Sequence, residues 1–345
     1  GYLMGISTFP DPPDSNDGSH KVMDETTTES TTSEGRFLCT TTDYRMDKNL
    51  HEVAVFNPNV VSLWPGAVVQ GKDVDNGVLN LIALPRAPIR VGTDLTGLSA
   101  EENSRVVENP DHLSVKGAIN DIVETFLSQN NSIPAKLAYS ETYAETFQQA
   151  MLDLDVSVAW SGWNSGSVET SFAASSEEYT SSYYCRFSQT YFTASALPPA
   201  RCNEFFKGDV APDDCAAYMG AGNPPCWLSA VVYGRIGILA VHSSYSKRDV
   251  QLAVQGAFSS MGWDLESDLD SYYQEVLANS EMKLLILGGN ATDGVQAIMG
   301  DPVAGLRQWI ENGAEMSATS QGAPCLLYTS PSPRDRTRSR MPSSA

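Results

Sequence analysis

The chain has 345 residues, with 42 acidic against 22 basic side chains, a formal net charge of −20 and a pI near 4.5. That balance leaves no basic footprint for a phosphate backbone, so no nucleic-acid partner is expected. The hydrophobic fraction of 41% is ordinary for a globular protein, and no run reaches the roughly 20 apolar residues of a membrane helix.

Residues 1–35 are rich in Pro, Asp, Ser and Thr, including Thr26–Thr28 and Thr31–Thr32, and read as a disordered leader. From Arg36 onward apolar runs alternate with turn signals. Val78–Leu84, Val231–Val241 and Lys283–Leu287 read as strands, the last ended by Gly288–Gly289. Val115, Ala118, Ile119, Ile122, Val123, Phe126 and Leu127 keep helical spacing behind Ser114, a candidate N-cap. Ser246 with Asp249 three residues later resembles an acidic capping box opening a helix through Val250, Val254, Ala257 and Phe258. Strands and helices mix without a regular βαβ repeat, which favours α+β over a doubly wound sheet. Cys325–Ala345 resembles a translated sequencing-library adapter. It is therefore expected to be an artefact that packs against nothing, with the natural sequence continuing past Pro324.

The search for chemistry returns few candidates. Gly66–Asp73 nearly matches a phosphate-binding loop, but Asp73 stands where Ser or Thr would hold magnesium, and a turn between strands is the simpler reading. His20, His51, His112 and His242 are scattered, with no metal-binding spacing. No nucleophile elbow occurs. No catalytic residue, cofactor or metal is expected. Cys185, Cys202, Cys215 and Cys226 fit either one or two disulfides of a secreted protein or buried free thiols. Asn130 and Asn290 head possible glycosylation triplets.

One segment fits two structures. Leu152, Leu154, Val156, Val158 and Trp160 alternate with Asp153, Asp155, Ser157, Ala159 and Ser161 over about nine residues, the length of a transmembrane β-strand. Ser161–Gly166, carrying Trp163, reads as a hairpin tip with an aromatic suited to a membrane interface. The return limb puts Val168, Thr170 and Phe172 on one face. The same alternation suits a half-buried strand of a soluble sheet.

Seven strings in order resemble the thiol-activated, cholesterol-dependent cytolysins: Trp64-Pro65-Gly66-Ala67, Asp94-Leu95-Thr96-Gly97-Leu98, Ala118-Ile119-Asn120-Asp121, Tyr139-Ser140-Glu141, Tyr233-Gly234-Arg235, Ser246-Lys247-Arg248-Asp249-Val250-Gln251 and Leu287-Gly288-Gly289. Thr96 stands where the family has proline. The resemblance implies a bent antiparallel β-sheet core with flanking helical clusters, related to the membrane-attack-complex/perforin fold. It implies a secreted protein that moves to a target-cell membrane, assembles with itself into a ring, and refolds two helical clusters into β-hairpins lining a pore. A closed barrel satisfies every backbone group in lipid. On this reading Leu152, Leu154, Val156, Val158, Trp160 and Trp163 belong to the membrane-inserting hairpin within residues 146–178. The second hairpin is expected to begin near Asp301, where Val303, Leu306, Trp309, Ile310 and Gly313–Ala314 keep helical spacing.

Tyr139 and Glu141 match family residues on the strand that pairs with a neighbouring subunit, with their partners expected past Pro324. An ordinary strand tyrosine and surface glutamate would read the same way. The resemblance divides the chain into a linking strand at 36–62, a body at 63–136 and 190–279, and a pore-forming part at 137–189 and 280–324. Cholesterol-rich membrane would be recognised by a C-terminal domain that this sequence does not contain. The alternatives are a non-lytic binding or assembly relative on the same scaffold and, more weakly, a nucleotide-binding enzyme resting on Gly66–Lys72.

Overall fold

A computed structural model of the chain describes residues 20–32, 35–46, 53–54, 63–73, 79–144, 146–154, 156, 172–176, 178–201, 204–259, 271–287, 295–296, 308–317 and 320–330. The chain divides into two compact units, one of residues 9–51 and one of the remainder.

The smaller unit is a hairpin of β1 (His20–Thr32) and β2 (Gly35–Met46), paired antiparallel from His20↔Met46 to Thr32↔Gly35. The expected disordered leader is thus a strand over residues 20–32. Threonine is β-branched and favours extended backbone. Thr26↔Thr41 and Thr27↔Thr40 face each other across the ladder, with the Thr27 and Thr40 hydroxyls 3.2 Å apart. Arg36 pairs with Glu29 at the turn end. Cross-strand partners, invisible in a composition count, convert a polar tract into a ladder. Residues 1–19 lie outside the described set.

In the larger unit the elements run β3 (Val53–Ala54), β4 (Val68–Gln70), β5 (Ile89–Thr93), β6 (Ser104–Val107), α1 (His112–Ser128), β7 (Lys136–Tyr143), α2 (Phe147–Asp153), β8 (Ser181–Ala196), α3 (Pro212–Ala216), β9 (Pro225–Ser243), α4 (Lys247–Ser259), α5 (Ser271–Ala278), β10 (Glu281–Leu287), β11 (Val295–Gln296) and β12 (Ala323–Ser330). All strand pairs are antiparallel. β8 and β9 are the spine: β7 and β5 share one edge of β8, while β10 and β12 lie along the opposite edge of β9. The fold is α+β, an antiparallel sheet flanked by helices.

Long continuous strands cross the boundary expected at 189/190, which falls inside β8. A register shift lies between Thr190 and Phe192 opposite Gly234. There a Cβ would collide with the Gln189 carbonyl, a spatial reason for glycine in Tyr233-Gly234-Arg235.

Alternation along the strands sends side chains to two separate cores. One face carries Tyr184, Ile236, Ile238, Ala240 and Leu285, packed with Phe147, Ala150, Met151 and Leu154 from α2 and its end, and with Val156 and Phe172. The other carries Tyr183, Cys185, Phe187, Leu239, Val241, Leu284 and Ile286, packed with Val250, Ala253, Val254 and Ala257 of α4, Val276 and Leu277 of α5, and Trp309 and Ile310.

α1 buries Val115, Ile119, Ile122, Val123 and Phe126, as the spacing predicts. It starts one turn earlier than expected. Asp111 is the N-cap, accepting from the Ser114 amide at 2.7 Å, while Ser114 Oγ accepts from the Asp111 amide at 3.0 Å. This is a capping box with Ser114 as its far member. Of the strand expected at Val78–Leu84, Val78 lies outside the described residues and 79–84 are not a regular strand: Leu81 makes one bridge to Val69, and Pro85 follows directly. The terminal segment also departs from expectation. Cys325 is 1% exposed, and Leu326–Ser330 pair with β9. Leu, Tyr and Thr in that run suit a pleated strand, and β9 offers an edge of matching length beyond β10.

Candidate functional site: the sheet edge and its two helical connections

Among the described residues β7 pairs with β8 along one edge, and no strand lies along the other. Tyr139, Glu141 and Tyr143 recur every second residue and face α4. They stand opposite Phe187, Cys185 and Tyr183 in the ladder. Both predicted edge residues therefore fall in one cluster. Tyr139 and Tyr183 donate their hydroxyls to Glu141 Oε2. On the other side of the carboxylate, Oε1 accepts from Gln251 Nε2 at 2.8 Å and Gln255 Nε2 at 2.6 Å, both from α4. Burial opposes the charge on Glu141, but the four donors outweigh it and hold the carboxyl below its ordinary range. Burial pushes the Tyr139 and Tyr183 phenols well above theirs. The Tyr139 ring lies 5.1 Å from that of Phe187 and is 39% exposed.

The chain leaving β7 returns as β8, and the described parts of that connection are pinned to the sheet. Arg186 Nη1 donates to the Leu154 carbonyl at 2.8 Å, in a buried position. His242 Nε2 lies 2.7 Å from the Phe172 carbonyl, an acceptor, which assigns the proton to Nε2 and leaves Nδ1 to accept from Ser182 Oγ at 2.9 Å. Burial lowers the His242 pKa, favouring this neutral ring. Lys283 donates to the Ala173 carbonyl, and the Ser175 amide donates to Glu281 Oε2 at 2.8 Å.

Among the residues expected in the hairpin, Leu152 lies in α2 and Leu154 and Val156 are each 1% exposed on the core. They belong to a short helix and its exit, where burial of Ala150, Met151 and Leu154 follows helical spacing. Val158, Trp160 and Trp163 lie outside the described residues.

The connection from β9 to β10 has the same form: α4 and α5 pack on the sheet between two adjacent antiparallel strands. Ser246 Oγ accepts from the Asp249 amide at 3.2 Å, as an N-cap does, and donates to Asp249 Oδ2 at 2.6 Å, so the carboxylate takes the Ser246 hydroxyl where a full capping box would have it take the backbone amide. Sequence reasoning missed this segment as a hairpin candidate, although a signal was present. Val250, Leu252, Val254 and Phe258 also fall on one side at period two, with Gln251, Ala253, Gln255 and Ala257 on the other. Leu252 is 36% exposed, an apolar residue that the helical packing does not use fully.

The residues near Asp301 are arranged differently. Helical residues 308–312 dock through their carbonyls. Arg235 Nη1 donates to Trp309 O at 3.0 Å, Gln189 Nε2 to Ile310 O at 2.6 Å, and Tyr191 Oη to Gly313 O at 3.1 Å. The Arg235 guanidinium stacks 4.5 Å from the Trp309 ring centroid. This segment leads from β10 to β12, which lie end to end along one edge of β9 and are not neighbours.

The near-match to a phosphate loop is occupied by the fold. The Gly71 amide donates to Pro224 O at 2.8 Å and the Lys72 amide to Asn223 Oδ1 at 3.1 Å, and Gly71–Asp73 form a 3₁₀ turn. Amides already paired cannot cradle phosphate. Gly66 adopts φ +99°, and its carbonyl accepts from the buried Arg86 at 2.8 Å. Burial lowers the Arg86 pKa to about 10. Cys185 and Cys215 are buried thiols without a disulfide, and Cys202 lies outside the described residues. Among the described residues no acidic, His or Cys cluster could hold a metal ion, and no helix is long and apolar enough to cross a membrane.

A family model described as thiol-activated cytolysin matches residues 16–345. Seeligeriolysin of Listeria seeligeri is 27% identical over 290 residues, covering 82% of this chain and 53% of that protein. Pneumolysin of Streptococcus pneumoniae is 27% identical over 293 residues, covering 83% of this chain and 60% of that protein. The chain thus spans little more than half the length of these relatives. Among solved structures, one described as a trapped toxin superposes with a TM-score of 0.73 at 21% identity, covering 96% of this chain and 69% of that one. Listeriolysin O superposes with a TM-score of 0.69 at 22% identity, covering 96% and 66%. These likenesses show the fold.

Proposed function

Because the chain belongs to the thiol-activated cytolysins, we propose that its complete protein is a secreted, non-enzymatic pore-forming cytolysin that assembles into a ring on sterol-containing membranes and inserts β-hairpins. Sterol recognition is assigned to a part of the protein outside this sequence. One observation carries the reading. Residues 144–180 and 244–280 each join neighbouring antiparallel strands, β7 to β8 and β9 to β10, and their helices cover opposite faces of one sheet. Either segment can become a hairpin by lengthening the two strands it joins, with no rethreading of the chain. A closed barrel built from such hairpins pairs every backbone group in lipid. The segment following Asp301 lacks this property, so the second hairpin is placed at 244–280 instead. Tyr139 and Glu141 sit on β7, whose outer edge carries no strand among the described residues and is where strand addition from a second copy would occur.

The test uses the complete protein on sterol liposomes, measuring dye release and co-sedimentation. Leu252 is partly exposed in the helix yet falls on the apolar side of the extended segment. Leu252→Lys is expected to fold and bind but not to release dye, because a lipid-facing lysine near the midplane costs about 2–4 kcal/mol in each subunit. Leu252→Met, and Ser157→Lys on the lumen side of the first hairpin, are expected to release dye normally. Equal release by Leu252→Lys and wild type would overturn the hairpin assignment. Val156→Lys is less informative, since Val156 is 1% exposed and a charge there would disturb the core before any membrane is met.

A further inference from the structure

A second polar cluster lies at the start of β9, the end opposite the β9–β10 connection, where residues 64–67, 85–87 and 205–207 come together. At its centre is the Arg86 guanidinium. Its Nε donates to Phe205 O at 3.0 Å and its Nη1 to Gly66 O at 2.8 Å. Its Cζ lies 5.8, 5.7 and 5.4 Å from the ring centroids of Trp64, Phe206 and Trp227. Among the described residues Nη2 has no hydrogen-bond acceptor, and neither has the indole Nε1 of Trp64 or of Trp227. Arg86, Trp64 and Trp227 are 6%, 3% and 5% exposed, so bulk water does not serve these donors. A buried tryptophan N–H ordinarily finds a partner. The charge is unmatched as well. With its pKa lowered to about 10 Arg86 keeps its proton at neutral pH, and the lowering comes from burial, with no carboxylate opposing it. Ring faces offset part of the cost of a buried cation. The indole N–H groups nevertheless add donors to the cluster and no acceptor, and a buried charge is ordinarily paired.

We propose that Arg86 Nη2 and the indoles of Trp64 and Trp227 form a buried site for a small monovalent anion of the halide class, chloride in ordinary salt solutions. The donor set selects this ligand. Arg86 Nη2 offers two N–H groups and each indole one, and none of the three side chains carries an acceptor. A water molecule would satisfy these donors only by adding two hydrogens that need acceptors of their own, and it would leave the guanidinium charge unpaired. A halide accepts from any direction, donates nothing and supplies one negative charge. A carboxylate of another protein would have to reach groups that the fold covers almost completely. The site is independent of the pore-forming reading. It joins the turn at Gly66, Arg86 and the 205–207 segment to β9, so anion binding stabilises this end of the sheet by mass action.

Thermal unfolding of the full chain tests the site. At fixed ionic strength, replacing sodium gluconate, whose anion is too large for a monatomic site, by sodium chloride is expected to raise the melting midpoint by about 2–4 °C and then saturate. The double variant Trp64→Phe, Trp227→Phe keeps an aromatic ring at both positions and removes both N–H donors. The chloride concentration giving half of the shift is expected to rise roughly tenfold or more in it. Arg86→Met is expected to abolish the shift. Should that variant fail to fold, the double tryptophan variant decides, and a crystal soaked in bromide needs no substitution at all. Its anomalous difference map is expected to show a peak within hydrogen-bond distance of Arg86 Nη2. A midpoint that follows ionic strength alone, an equal chloride dependence in wild type and the double variant, or a water molecule in place of the bromide peak would each overturn the anion site.

Discussion

The two helical connections lie on opposite faces of the same sheet but are held there by different means. The β7–β8 connection buries aromatic and long aliphatic side chains, Phe147, Met151, Leu154 and Phe172, and its backbone carbonyls are gripped by Arg186, His242 and Lys283. In the β9–β10 connection the described core side chains of α4 are valines and alanines, and its Gln251 and Gln255 amides bind one carboxylate near a strand edge. A buried group is costly to strand without its partner, whereas a part-exposed bond can be exchanged for water at little cost. The contrast implies that the α4 side opens more readily and the α2 side resists, so the two connections need not open together.

The largest expected effect is on the resistant side. Phe172 is fully buried against Phe147, with ring centroids 5.2 Å apart. Phe172→Ala is expected to cost about 3–5 kcal/mol, read as a fall in denaturation midpoint and rapid proteolysis within the β7–β8 connection. If stability changed by less than 1 kcal/mol, the distinction between a firmly packed and a lightly packed connection would fail. Arg186→Met removes the donor to Leu154 O while keeping much of the side-chain volume. An expected loss of about 1–3 kcal/mol reflects a carbonyl left unsatisfied, and exchange protection should fall at Leu154 and Val156 before it falls in α4.

Acid sharpens the comparison. The folded protein favours neutral His242, whose surroundings are the Ser182 hydroxyl, the Phe172 carbonyl, Glu281 and Lys283. Its pKa is lowered on folding, so its contribution is complete above the ordinary value of about 6.5 and is lost as pH falls through the lower folded value. Glu141 is also lowered, so its contribution is complete above about 4.3 and is lost as pH falls further. Acidification is therefore expected to loosen residues 172–176 first and α4 only at lower pH, the reverse of the order expected at neutral pH. Exchange profiles at a series of pH values would show it. His242→Gln, which cannot be charged, should abolish the first step and leave the second. The smallest expected effect is that of Leu252→Ser, within about 0.5 kcal/mol in the soluble chain because the side chain is partly exposed. A larger loss would mean that α4 is packed as firmly as α2.

Much of this architecture was legible before any coordinates. The α1 stripe, the capping pair Ser246 and Asp249, the strands around Val231–Val241 and Lys283–Leu287, and the antiparallel α+β class all follow from periodicity and capping chemistry, which act over a few residues. Two readings failed where the deciding partner is distant in the chain. Threonines of residues 20–32 looked disordered because their stabilising neighbours lie on β2. Cys325–Ser330 were expected to pack against nothing because the edge that takes them lies about a hundred residues upstream on β9.

The sequence by itself determined that Tyr139 and Glu141 lie two residues apart on one strand face and that two periods compete in residues 152–160, since both depend only on spacing. Only the tertiary structure decided which connections join neighbouring strands. That property depends on which strands are neighbours, and β9 and β10 become neighbours only after the intervening α4 and α5 fold back across the sheet. Glu141 likewise acquires its four donors from three separate elements, β7, β8 and α4. A carboxylate's hydrogen bonds are short-ranged in space but not in sequence, so no spacing rule along the chain could have assembled them.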